Sequence, residues 1–293
     1  MPGHPVSFGA RLTAARDLHG PLCVGIDPHP GLLAAWGLPD DAAGARAFGL
    51  AVVDALAGRV AALKPQSAFF ERHGPAGIAA LADVLEAASG RGTQVILDAK
   101  RGDIGSTMTG YADAYLRSDS PFVCDALTVS PFLGVGSLEP AVSAALESGR
   151  GLFVLALTSN PEGPQVQHAV DGSGVSVAAS IVRQVAERNA VELAATGSGD
   201  PTEIGSIGLV VGATVGGAVR SLGIDLRRVR GPLLAPGVGA QGGGRGDLEE
   251  VFGDARRQVL ASVSRSVLGA GPDPDELRHA ADAAIAEAAA ALH

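Results

Sequence analysis

The sequence predicts an α/β protein, a (β/α)8 (TIM) barrel formed as a single domain by the whole chain of 293 residues. Three observations lead there. Eight short apolar runs alternate with Ala-rich segments that read as helices, the pattern of a parallel sheet. The count of eight, on a chain long enough for the usual 200–250 residues of a barrel plus extensions, favours closure of that sheet. The open doubly wound alternative lacks its phosphate turn, since Gly25-Ile26-Asp27-Pro28-His29-Pro30 after the first strand contains no G-x-G-x-x-G.

In chain order, residues 6–19 form a helix expected to cover the bottom of the fold, and Leu22–Asp27 forms the first strand. A helix over 41–58 leads to a strand at Val60–Lys64, and one over 76–90 leads to Gln94–Lys100. Helix 106–117 precedes Val123–Val129, and helix 137–148 precedes Leu152–Thr158. Helices 174–195, 215–222 and 246–255 precede the last three strands, Ile207–Gly212, Pro232–Pro236 and Gln258–Ser264. A final helix over 273–292 opens on Pro272-Asp273-Pro274-Asp275-Glu276, which supplies a capping Asp, an early Pro and acids in the first turn. The 41 Gly and 18 Pro gather at the ends of apolar runs and so mark tight connections. Two connections are long. Ser159–Ser173 reads as a lid over the barrel mouth, and Ala195–Ser206 as a surface insertion without a part in the chemistry.

Composition narrows the function. With 22 Lys and Arg against 31 Asp and Glu the chain carries a formal charge of −9, and it has no basic block, which argues against nucleic acid or an anionic membrane as partner. Cys23 and Cys124 both sit in apolar runs and read as buried thiols of a reducing compartment. No Cys/His group has zinc spacing, no apolar run approaches a membrane span, and the first residues do not resemble a leader, so a soluble cytoplasmic protein without a metal is expected.

The chemistry-bearing stretch is Gln94-Val95-Ile96-Leu97-Asp98-Ala99-Lys100-Arg101-Gly102-Asp103-Ile104-Gly105-Ser106-Thr107. Asp98 and Lys100, two apart on a strand, share a face, whereas Asp103 lies beyond the strand end. Two carboxylates and an ammonium at this spacing suit proton transfer to a carbon centre. Groups at the carboxyl ends of barrel strands converge on one mouth, and nearly every strand here ends on a polar residue: Asp27, Lys64, Asp98 with Lys100, Ser159, Gln241 and Arg265. Lys64 follows Ala61-Ala62-Leu63 in a run that reads buried, and a buried Lys needs a carboxylate partner. The run from Ala235 to Gly244, rich in glycine, resembles a phosphate cradle after strand 7, with Arg265 placed past strand 8 to grip the same group.

Taken together, Val24-Gly25-Ile26-Asp27, Leu63-Lys64-Pro65-Gln66-Ser67-Ala68-Phe69-Phe70-Glu71, Asp98-Ala99-Lys100-Arg101-Gly102-Asp103-Ile104-Gly105-Ser106-Thr107, Val211-Gly212-Ala213-Thr214 and Pro236-Gly237-Val238-Gly239-Ala240-Gln241-Gly242-Gly243 resemble, in order, the orotidine 5′-phosphate decarboxylase family, in its longer bacterial branch. The resemblance implies conversion of orotidine 5′-monophosphate to uridine 5′-monophosphate and CO2 in de novo pyrimidine biosynthesis, with no cofactor. It implies a charge tetrad of Lys64, Asp98, Lys100 and Asp103, the last donated by the other subunit of a homodimer together with Thr107. It also implies that Asp27 and Lys64 hold ribose hydroxyls, Ser159 meets the pyrimidine, Gln241 bridges base and phosphate, and Arg265 grips phosphate, with Ile104, Pro236 and Ser264 also binding substrate. Ser264 departs from the family, which often has Gly before that Arg. Other readings of the same residues are a Mg²⁺-dependent sugar-phosphate decarboxylase or aldolase, a Schiff-base aldolase using Lys64 or Lys100, and a silent nucleotide binder.

Overall fold

A computed structural model describes residues 5–197, 200–238 and 243–292. Its eight strands are β1 (Leu22–Ile26), β2 (Ala62–Pro65), β3 (Gln94–Arg101), β4 (Ala126–Val129), β5 (Gly151–Leu157), β6 (Ile207–Val211), β7 (Leu233–Pro236) and β8 (Val259–Val263). They pair in parallel, each with the next in sequence, and β8 returns to β1 to close the barrel. The strands are buried on both faces, one against helices and one against the barrel interior, which is why they read as near-continuous apolar runs.

The expected elements are present with shifted ends. β2 starts at Ala62 rather than Val60 and runs through Pro65, because its pairing is set by Cys23 opposite Ala62 and Ile26 opposite Pro65. β4 starts at Ala126 rather than Val123. Asp125 before it is taken up at the strand entry, accepting from the Val95 N–H at 2.8 Å and pairing with Arg11 at 3.0 Å. The helix expected over 174–195 runs from Val177 to Thr196, since Gly174 turns with φ +81° and the Ser176 hydroxyl caps the first turn. The helix expected over 137–148 begins as a 3-10 turn at Val135–Leu138 before Glu139–Glu147. Short helices at Pro30–Ala35, Ser67–Glu71, Pro164–Gln167 and Arg265–Leu268 occupy stretches read as loops. No described helix is long and apolar enough to cross a membrane.

The helix Phe8–His19 seals the amino-terminal end, as expected. Phe8 and Leu12 enter the barrel interior beside Cys23, Ile96, Phe153, Leu234 and Leu260. The rings of Phe8 and Phe153 meet edge to face, 6.0 Å apart at 87°. Gly151 makes room for this plug, since a Cβ there would lie 2.2 Å from the Phe8 ring. The 195–206 connection is more than a surface insertion. Its end passes under the same helix, with Gly9 packed on the Ile204 and Gly205 carbonyls and Ser206 buried against Glu192.

Candidate functional site

At the opposite end the strand termini surround a cavity of about 690 Å³. Of the residues expected at the site, Asp27, Lys64, Asp98, Lys100, Ser159, Pro236, Ser264 and Arg265 line it. Gln241 lies outside the described residues.

Asp98 is the centre of the arrangement and is 6% exposed. Its Oδ2 accepts from Lys64 Nζ at 2.8 Å and from Gln66 Nε2 at 3.1 Å. Its Oδ1 accepts from Lys100 Nζ at 2.5 Å and from Thr128 Oγ1 at 2.9 Å. Burial alone would raise the Asp98 pKa, but Lys64 and Lys100 outweigh it and hold this carboxyl well below the ordinary carboxylate range. Burial likewise works against a charged Lys64, yet Asp98 and then Asp27 overcome it, and the ammonium titrates above its ordinary value. The pair is therefore ionised across the whole neutral range.

Strand alternation accounts for Asp98 and Lys100 facing one way, but the backbone between them is not regular. From Leu97 to Arg101, β3 advances four residues while β4 advances two, Leu127 to Val129. Lys100 sits in this bulge with φ +48°. Arg101 beyond it pairs with Glu71, which also accepts from Ser67 Oγ, and its guanidinium lies 5.7 Å from the centre of the Tyr111 ring. The Gln66–Glu71 segment thus grips the end of β3 at two points, Asp98 and Arg101.

Around the rim, Asp27 Oδ1 and Ser264 Oγ are buried with no hydrogen-bond partner among the described residues. A Cβ on Gly25 would lie 2.9 Å from Asp27 Oδ2 and 3.1 Å from Ser264 Cβ, so only glycine leaves this corner open. Pro236, Gly237 and Val238 line the cavity beside Arg265 and Ser266, which follow the adjacent strand β8, and the Gly243 N–H donates to the Gly237 carbonyl at 3.0 Å. Arg265 is exposed and has no carboxylate partner among the described residues. Cys23, beneath the site, is inert: burial pushes its thiol up to about 12.

Asp103, Ile104 and Thr107 do not line the cavity of their own chain. Asp103 turns back to accept from the Ile104 N–H at 2.7 Å, and Ile104 is 61% exposed. Gly102 packs on the Ser130 carbonyl, and Phe132 and Leu133, in the loop that follows Ser130, are also exposed.

A family model described as orotidine 5′-phosphate decarboxylase / HUMPS family matches residues 20–280. The chain belongs to this family. An orotidine 5′-phosphate decarboxylase of Streptomyces coelicolor is 58% identical over 276 residues, 94% of each chain. One from Salinispora arenicola is 54% identical over 98% of each. A crystal structure from Streptomyces avermitilis, provisionally named orotidine 5′-phosphate decarboxylase, superimposes with a TM-score of 0.91 at 56% identity, covering 99% of this chain and 97% of that one. A Leishmania donovani OMP decarboxylase, 28% identical, gives 0.75 over 98% of this chain and 99% of its own.

Within this decarboxylase-family barrel, three side chains near the charged centre escape a sequence reading. Gln66 was visible only as part of a motif, with no signal for its contact to Asp98. Thr128, in an apolar run, reads as one more β-branched strand residue. Gln167 lies in the 159–173 connection, where its amide accepts from the Thr158 N–H at 2.9 Å and donates to Thr158 Oγ1 at 2.6 Å, fixing the stem that carries Ser159.

Proposed function

We propose that this cavity decarboxylates orotidine 5′-monophosphate to uridine 5′-monophosphate, a step of de novo pyrimidine biosynthesis in the cytoplasm, with no cofactor. The observation that supports this reading best is an ionised carboxylate held between two lysines, Lys64 and Lys100, at the end of a cavity roomy enough for a nucleotide.

Loss of CO2 from C6 leaves an electron pair in an sp² orbital with little delocalisation, so the barrier to be removed lies toward the upper end of the ~8–23 kcal/mol that enzymes supply. Lys100 Nζ, half exposed to the cavity, stabilises that pair as it forms and then delivers its proton to make the C6–H bond; water restores the ammonium. Asp98 stands near the substrate carboxylate, and being fixed by four donors it does not swing away. Lys64 keeps the array neutralised and, with Asp27, meets the ribose hydroxyls. Ser159 meets the pyrimidine. Gln241, Pro236, Ser264 and Arg265 hold the phosphate end, whose remote binding energy drives closure of the loops over the base.

Arg265 gives the simplest test of this layout. Because it is exposed and unpaired among the described residues, Arg265→Ala should fold normally while kcat/KM falls about 10²-fold, the loss of two charge-assisted hydrogen bonds. A change under threefold in steady-state assays would remove Arg265 from the phosphate site.

The same reading makes the protein a homodimer in which Asp103 and Thr107, with Ile104 beside them, complete the partner's cavity. Their position outside their own cavity, the exposure of Ile104 and Thr107, and the exposed apolar Phe132 and Leu133 support it. Mixing inactive Lys100→Ala and Asp103→Ala chains should restore about a quarter of the wild-type activity, because half of the dimers are mixed and each has one intact site. No recovery would mean that Asp103 acts within its own chain or not at all.

Among the described residues, no three His, Cys, Asp or Glu side chains come together as a metal-binding group. The direct test is the fall in ultraviolet absorbance when the purified protein meets orotidine 5′-monophosphate in EDTA. Rapid conversion is expected. No conversion by the folded protein would favour the Mg²⁺-dependent sugar-phosphate chemistry or a silent binder instead.

A further inference from the structure

We infer that Thr128 is a positioning residue of the reaction, holding Lys100 and Asp98 in their working geometry through a single hydroxyl; the inference rests on the decarboxylase reading above. A threonine hydroxyl offers one proton and two lone pairs. Here all three are used. The proton goes to Asp98 Oδ1 at 2.9 Å, and the oxygen accepts from the backbone N–H groups of Ala99 at 3.0 Å and Lys100 at 2.9 Å. Thr128 is 1% exposed, so its hydroxyl is bonded to protein groups rather than to bulk water.

The placement matters because of what β3 does at this point. Its two extra residues relative to β4 fall between Leu97 and Arg101, where the regular ladder breaks, and Thr128 is the β4 residue facing the gap. The hydroxyl takes up the two amides that the bulge releases. It thereby supports Lys100 at φ +48°, a conformation that costs a residue with a Cβ and persists only when the surroundings impose it. In that conformation Lys100 Nζ comes back onto Asp98 Oδ1 at 2.5 Å, the same oxygen that Thr128 holds. One hydroxyl therefore sets both the height of the ammonium that donates the proton and the rotation of the carboxylate beside it.

Thr128→Val keeps the shape and removes all three bonds; Thr128→Ser keeps the hydroxyl. Thr128→Val should fold with kcat reduced about 10²-fold, the usual result of misplacing a catalytic group by about 1 Å. Its KM and its affinity for uridine 5′-monophosphate should stay within about threefold of wild type, since the ribose and phosphate contacts lie elsewhere. Thr128→Ser should return kcat to within about threefold of wild type. The inference is overturned by a Thr128→Val kcat within about threefold of wild type, by parallel losses of kcat and nucleotide affinity, or by a serine variant no better than valine. A crystal structure of nucleotide-free Thr128→Val decides the matter independently of any activity. Lys100 should leave the left-handed region and Nζ should separate from Asp98. Retention of both features would defeat the inference even if turnover were lost, while inactivity of the wild type in the same assay would count against the decarboxylase reading alone.

Discussion

Lys100→Ala should lower turnover of orotidine 5′-monophosphate at least about 10³-fold, the combined loss of a positioned proton donor and of the cation facing the developing carbanion. Nucleotide should still bind, because the ribose and phosphate groups are held from other strands. Stability should change by no more than about 1 kcal/mol, since the Lys100 side chain is 44% exposed and Asp98 keeps Lys64, Gln66 and Thr128 as donors. Product titration and a thermal melt on the same sample separate these effects. Turnover above about a tenth of wild type, a barrier change below about 1.4 kcal/mol, would exclude Lys100 as the proton donor.

Asp98→Asn should strike activity and stability together. The Lys64 ammonium is buried against Asp98, with side-chain exposures of 10% and 9%, and removing one charge of such a pair leaves the other desolvated and unpaired. The expected cost is about 3–5 kcal/mol, or a fall in Tm of about 5–8 °C for a protein of this size. Adding Lys64→Met should recover much of the stability and none of the activity, because an apolar replacement removes the stranded charge but not the need for it in catalysis. An Asp98→Asn protein as stable as wild type would show that Lys64 finds another partner or sheds its proton.

The pH dependence follows from the directions of the two shifts. Asp98 has a folded pKa below its unfolded one, so its contribution is fully present above about pH 4 and fades as pH falls toward the folded value. Lys64 has a raised folded pKa, so its contribution is fully present below about pH 10 and fades as pH rises through the folded value. Between those limits the pair adds a constant amount to stability. Urea denaturation of wild type and Asp98→Asn at several pH values should give a difference that is flat from about pH 5 to 9 and shrinks on the acid side.

Eight buried strands were legible because a parallel strand covered on both faces leaves an apolar run in the sequence, and a polar residue at the end of nearly every run marks the mouth. Lys64 was legible for the same reason, as a charge in an apolar run that had to meet a carboxylate; Asp98 is that carboxylate. What stayed hidden has a common physical form. Thr128 does its work through backbone amides released by a two-residue slip between β3 and β4, and no side-chain pattern records a slip. Gln66 and Gln167 act through amides that are as common on surfaces as in sites. Asp103 stood out in the sequence as a second carboxylate beyond the strand, but its place in a partner's site, like Ile104 and Thr107, was named from the resemblance; the exposure of Ile104 and Thr107 in one chain agrees with a role outside it.

The aromatic plug at the amino-terminal end has a consequence for traffic. With Phe8, Leu12 and Phe153 wholly buried between the first helix and the strands, the barrel formed by the described residues is a blind tube, open where the strands end. A gas molecule released at Asp98 has no back door, and it must depart by the portal through which the nucleotide came. Gas escape, product departure and the next substrate's arrival then share one doorway, framed by Ser159, Pro236 and Arg265. The rate at which those segments part sets an upper bound on turnover, however fast the bond at C6 is broken.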